Sequence, residues 1–228
     1  MANRDSQNAP YPVNSMPPKV LPIRSWMTPP ISWASPPKAN ATAKTTGRVP
    51  MLTRLALIML SIVNADWIAK GVEPVVFGVA LMFGGITQLI AGIIQLRTGN
   101  TFAGVLFAGF GAFWMSLFAN VQWFLKEAPA SQVGHAQGLF LYAFGIFTVV
   151  MLAASLRTSV AVVTTLLLLG VTFFVLGAGN YSASSGLIKT GGWIGLAVAA
   201  GAFYLALAEV CEASYGHAIL PLGSLARK

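Results

Sequence analysis

Six apolar runs, each about as long as a bilayer is thick, dominate residues 51–228. They are Met51–Ala69, Val75–Gln95, Thr101–Leu125, Ala136–Leu156, Val160–Tyr181 and Leu187–Cys211. A helix needs ~20 residues to cross a hydrocarbon core of ~30 Å. Lipid offers the backbone no hydrogen bonds, so each run must satisfy its own N–H and C=O groups as a helix. Period-two alternation is absent, which argues against an outer-membrane barrel. The expected fold is therefore all-α, a polytopic integral membrane protein of six transmembrane helices. Composition agrees: 56% of the 228 residues are hydrophobic and 9% charged, against ~45–50% and ~25% in an average soluble chain. Such a chain has too few charges to clothe a soluble enzyme.

Residues 1–50 differ sharply from the rest. They hold ten of the 13 prolines, six of the 14 basic residues and one acid, Asp5. Proline removes a donor and restricts the residue before it, so no helix is expected. The segment lacks the charged-then-apolar order of a secretory signal. It reads as a basic, Pro-rich, mostly disordered tail preceding a six-helix domain over 51–228. The net charge of +8 largely reflects this tail and the scarcity of acids, so no nucleic-acid partner is implied. The tail also sets the expected orientation, with both termini cytoplasmic, because Lys and Arg stay inside.

Small residues at spacing four, Gly104, Ala108 and Ala112 and then Gly191, Gly195 and Ala199, allow close helix approach. Gly111-Ala112-Phe113-Trp114 is echoed by Gly201-Ala202-Phe203-Tyr204. A three-helix unit duplicated in inverted orientation would give such an echo.

No catalytic constellation is visible, and the chain is not read as an enzyme. Cys211 is the lone cysteine, and His135 and His217 match no metal spacing. No metal or other cofactor is called for. The informative residues are polar ones within apolar helices, since each is costly in lipid and tends to face a cavity or a partner. Glu209, late in the sixth run, has two open readings. It is a proton-accepting or gating group, or an interfacial carboxylate paired with Arg97 or Arg157. Asn64, Gln88, Asn100, Thr101 and Asn180 complete the expected polar pathway, with amides able to donate or to cap. Arg54, a few residues into the first run, is expected to reach out to the headgroups. An anion-holding role at the mouth is its alternative.

Phe83-Gly84-Gly85-Ile86-Thr87-Gln88-Leu89-Ile90-Ala91-Gly92 resembles the second-helix motif of the acetate uptake transporter family. Gly99-Asn100-Thr101-Phe102 with Phe110-Gly111-Ala112-Phe113-Trp114 resembles its third helix. Gly192-Trp193-Ile194-Gly195 with Tyr204-Leu205-Ala206-Leu207-Ala208-Glu209 resembles its last helix, and Leu220-Pro221-Leu222-Gly223 its C-terminal tail. The blocks occur in order from about Gly84 to Gly223. The resemblance implies six helices around a narrow pore and a homo-oligomer, a hexamer. It implies transport of acetate and similar small monocarboxylates, with succinate as a further candidate, coupled to protons or channel-like. It places the pore constriction at Phe110, at Leu169 and at a first-helix position within Thr53–Ala56, taken as Leu55. The family's first-helix signature, Asn-Pro-Ala-Pro-Leu-Gly-Leu, is degenerate here, as Thr46-Gly47-Arg48-Val49-Pro50-Met51-Leu52. The expected partners are the carboxylate, protons and membrane lipids. Two other functions stay open. One is a channel for a small neutral solute such as ammonia, urea or water. The other is a non-transporting sensor or assembly protein that docks through the tail.

Overall fold

The computed structural model describes residues 50–225. The tail expected over residues 1–50 lies outside them, Pro50 apart. Six helical segments occur in order: α1 (Pro50–Asn64), α2 (Lys70–Arg97), α3 (Thr101–Glu127), α4 (Val133–Ser155), α5 (Val160–Tyr181) and α6 (Ser185–Tyr215). By length and apolarity, α2 to α6 each suffice to cross a membrane. No strand occurs among the described residues; one isolated bridge joins Ser159 and Ser224.

The apolar runs foretell α2 to α6 to within a few residues, but α1 is shorter than its run. It ends at Asn64, not Ala69. The backbone of Asp66 turns left-handed there, at φ 64°, a conformation that Asp tolerates better than most residues. Fifteen residues cover about 22 Å, short of the full core. Trp67 and Ile68 carry the apolar surface onward without helix. Trp67 is exposed and meets Trp193 edge-on at 4.9 Å, the amphipathic arrangement favoured at a membrane interface. Beside them, Lys189 pairs with Asp66 at 3.6 Å. At its start, α2 reaches back to Lys70, before the expected Val75, because Pro74 sits in a first turn where its missing N–H costs nothing.

The helices run alternately up and down. Each packs on its neighbours in the chain, α3 and α4 most lightly, and α6 returns to α1 to close a ring. Small residues set the spacing. A methyl group on Gly92 of α2 would strike the backbone of Ala108 in α3. One on Gly192 of α6 would strike Asn64 and Ala65 of α1. With water absent, association rests on such close contact and not on the hydrophobic effect. The two halves of the Gly-Ala-Phe echo sit in unlike surroundings. Phe113 and Trp114 are buried, while Phe203 is half-buried and Tyr204 exposed.

Two helices carry wide turns. Ala80–Thr87 in α2 and Asn120–Phe124 in α3 form π-helix, in which each N–H reaches back five residues. The Thr87 hydroxyl donates to the Met82 carbonyl at 2.9 Å, across the same five-residue step. Within the first π segment, Gly84 lies against Trp114 and Gly85 against Met115.

The end of the chain folds back. Gly216, left-handed at φ 79°, stops α6 and donates its N–H to Glu212, the usual glycine exit from a helix. The carbonyl of Gly223 then accepts from Val160 at 2.8 Å and that of Leu222 from Ala161 at 3.2 Å. These N–H groups open α5 and have no partner within the helix. The Tyr204 hydroxyl holds the strap by donating to the Pro221 carbonyl at 2.7 Å. The Leu-Pro-Leu-Gly motif is therefore a cap for α5.

Candidate functional site

The ring encloses a cavity of about 490 Å³. On α1 the lining residues are Arg54, Leu57, Leu60, Ser61 and Asn64, spaced at three, four and seven residues and so on one helix face. Leu55, one step of about 100° from Arg54, does not line it, and Leu57 and Leu60 take that face instead. Because neighbouring helices are antiparallel, lining residues can be sorted by depth. Arg54, Asn100, Thr165 and Glu209 mark one mouth. Asn64, Glu73, Gln137 and Asn180 mark the other. Phe110, Phe113, Leu169 and Phe173 lie between.

The middle is aromatic. Phe110 stacks on Phe173 with centroids 6.2 Å apart and meets Phe147 edge-on at 5.3 Å. Phe113 meets Phe173 and Phe144 edge-on, each at 5.0 Å. Phe110, Phe113 and Phe173 are all buried. Leu169 packs against this cluster and lines the cavity beside it. The charged lining residues, Arg54, Glu73 and Glu209, lie toward the ends and not at this depth. A naked ion entering such a place loses its hydration with nothing to replace it, at a cost of several kcal/mol. Gln88, buried just after the π segment of α2, adds one amide to the lining.

At the first mouth, Arg54 is half-buried and points into the cavity, not outward to the headgroups as expected from sequence. Its Nε is buried without a hydrogen-bond partner. Its position on the cavity face of α1 dictates this. Glu209 of α6 opens onto the same space, and each charge acts on the other. The expected pairing of Glu209 with Arg97 or Arg157 is not formed. Among the described residues the ion pair made is Lys189–Asp66. Asn100 is occupied as the N-cap of α3, its Oδ1 accepting from the Ala103 N–H at 3.3 Å. Thr101, the next residue, is exposed and lies off the cavity.

At the second mouth, Asn180 donates through Nδ2 to the Leu176 carbonyl of its own helix at 2.8 Å. Gln137 of α4 carries a buried Oε1 with no partner. Sequence reasoning does not single out Gln137 or Glu73. A lone amide at the start of an apolar run is the available signal for the first. It also misses Phe113 and Phe173, because aromatic residues are common in every run. Among the described residues no cluster of three His, Cys, Asp or Glu side chains could hold a metal ion.

Membrane-length helices around a cavity lined by residues from both ends of the bundle, with aromatic rings at mid-depth, define a membrane transport protein. Known proteins of the same build agree. Residues 33–226 match the GPR1/FUN34/yaaH family. The chain is similar to the succinate-acetate/proton symporter SatP of Escherichia coli, 31% identical over 172 residues, 74% of this chain and 89% of that one. It is similar to ammonia transport outward protein 2 of Saccharomyces cerevisiae, 33% identical over 161 residues, 68% of this chain and 57% of that one. Its fold matches the solved structure of the bacterial acetate channel SatP with a TM-score of 0.71 at 30% identity, covering 78% of this chain and 98% of that one. The chain belongs to the GPR1/FUN34/yaaH family and is an integral, multi-pass membrane protein.

Proposed function

We propose that this protein carries small monocarboxylates, acetate first, and in addition the dicarboxylate succinate, across the membrane through the central cavity. The observation that carries this reading is a central cavity with an arginine at one mouth whose buried Nε has no partner, and an aromatic cluster at mid-depth. A carboxylate is attracted to the mouth, and a small, uncharged or proton-accompanied solute fits the neck. Relatives named both as a proton symporter and as a channel support the same class. Relatives named as transporters and channels also accord with a chain that is not an enzyme. On this reading the neck is Phe110, Phe113, Leu169 and Phe173, and the polar path is Gln88, Asn64, Asn180 and Glu209.

The remaining expectations belong to the same proposal. The outward apolar surface of α2 to α6, with residues such as Leu139, Ile146 and Val150 exposed, supports lipid contact and assembly of several copies, six by family resemblance. The basic tail supports cytoplasmic termini and serves as a headgroup contact outside the six-helix domain. A second reading has its own support. A relative is named for ammonia transport, and a neck built of phenylalanine suits a neutral solute.

Uptake by purified protein in liposomes separates the two. Acetate, succinate, lactate and ammonium are compared under an imposed pH gradient. Acetate uptake at least tenfold above protein-free liposomes, with ammonium flux unchanged, is the expected result. Ammonium flux without acetate uptake overturns the carboxylate reading.

A further inference from the structure

We propose that Arg54 and Glu209 form a carboxylate-loading site, in which Arg54 receives the substrate anion and Glu209 hands it the proton with which it crosses the neck. The site deepens the transport reading above and rests on it.

Elimination leads to Arg54. Of the polar groups at this mouth, Asn100 Oδ1 is committed to the start of α3. The Thr165 hydroxyl donates to the Ala161 carbonyl of its own helix at 2.8 Å. Gln95 near the end of α2 also lines the cavity, but Arg54 alone among these groups has a buried donor with no partner. A guanidinium presents five N–H groups in a rigid fork that matches a carboxylate. Leaving its buried Nε without a partner is costly. Glu209 does not discharge that cost by closing an ion pair, although it shares the cavity and feels the Arg54 charge. The missing partner is a mobile anion, and a small carboxylate has the matching shape and charge.

The neck then demands a proton. A carboxylate held on Arg54 cannot enter Phe110, Phe113 and Phe173 as an ion without losing several kcal/mol of solvation. Glu209 is exposed to the cavity, so it takes a proton from the water there. It then passes that proton to the bound substrate. The exchange is Glu-COOH plus substrate carboxylate giving Glu-carboxylate plus substrate acid, with atoms and charge conserved. Two carboxylic acids have similar ordinary acidity, so the transfer needs no strong driving force. The neutral acid crosses the neck and returns its proton to water beyond it. One proton accompanies each carboxylate.

Among the described residues, the other titratable or charged groups at this end are few. Glu212, one turn further along α6, is exposed and acts on Glu209. Cys211 is half-buried on the same helix, and His217 lies exposed beyond it. Arg97 in the last turn of α2 and Arg157 after α4 are exposed. At this end α3 and α5 contribute no charged side chain.

The test uses the full chain in detergent for acetate binding by calorimetry, and in liposomes for uptake between pH 5 and 8. Arg54→Gln is expected to weaken acetate binding roughly 10- to 100-fold, the usual effect of losing a charged hydrogen-bonded partner. Arg54→Lys should fall between. Glu209→Gln should leave binding within about threefold and flatten the pH dependence of uptake. Glu212→Gln should retain that dependence. Unfolding midpoints check that each variant is folded. Wild-type uptake with Arg54→Gln binding unchanged, or with a full pH profile in Glu209→Gln, overturns the loading site alone. Wild-type protein that neither binds nor carries acetate overturns the transport reading and the loading site together.

Discussion

At one mouth the opposite charges of Arg54 and Glu209 share the cavity, whereas at the other three amides, Asn64, Gln137 and Asn180, accompany a single carboxylate, Glu73. Their glycines differ as well. At the amide mouth a methyl group on Gly192 would meet the main chain of Asn64 and Ala65, and one on Gly134 would meet the Asn180 carbonyl at 2.6 Å. At the charged mouth a methyl group on Gly201 would meet the Thr165 hydroxyl at 2.8 Å, a side-chain atom that moves only by leaving its bond to the Ala161 carbonyl. Along α6, then, backbone fixes the amide mouth and a side chain the charged one, while α2 and α3 meet backbone to backbone on the charged side as well, at Gly92 and Ala108.

The largest effect is expected where backbone meets backbone. Gly192→Ala should destabilise the protein by about 1–3 kcal/mol through overpacking of α6 on α1. Gly201→Ala should cost less than Gly192→Ala, since alanine's helix preference of up to ~1 kcal/mol over glycine offsets the displaced Thr165 hydroxyl. Thermal unfolding in detergent compares the two, and equal losses would erase the distinction between the mouths. A smaller effect is expected at Gln137. Its buried oxygen lacks a partner, a state that costs about 1–3 kcal/mol. Gln137→Leu removes that penalty and should raise stability by about 1 kcal/mol while lowering acetate uptake a few-fold. A gain in stability with uptake intact would mean that the amide serves no passing solute.

The fold is largely legible in the sequence because lipid leaves a helix as the main outlet for a long apolar run. Five of six helices match their runs closely. The exception, α1, is over-extended by its run because Trp67 and Ile68 are apolar without being helical, and the turn at Asp66 leaves only a weak trace in sequence. The site is less legible. Phe110 and Leu169 emerge from family resemblance, since nothing in their own runs marks them out. Sequence assigns Arg54 to the headgroups because a first run with uncertain ends gives no reliable face. Once α1 is placed, the spacing from Arg54 to Asn64 turns the arginine inward and turns Leu55 off the lining. The π segments of α2 and α3 rotate the residues beyond them by an amount that a regular helical repeat does not anticipate.

On the transport reading, solute passes the neck at mid-cavity. Leu169→Ala tests this most directly, because it opens that neck next to Phe110 without touching either mouth. Uptake of acetate and of a bulkier carboxylate such as butyrate is compared in liposomes for wild type and variant. The butyrate-to-acetate ratio is expected to rise at least severalfold in the variant. An unchanged ratio, with the variant folded and acetate uptake intact, would contradict passage through this neck.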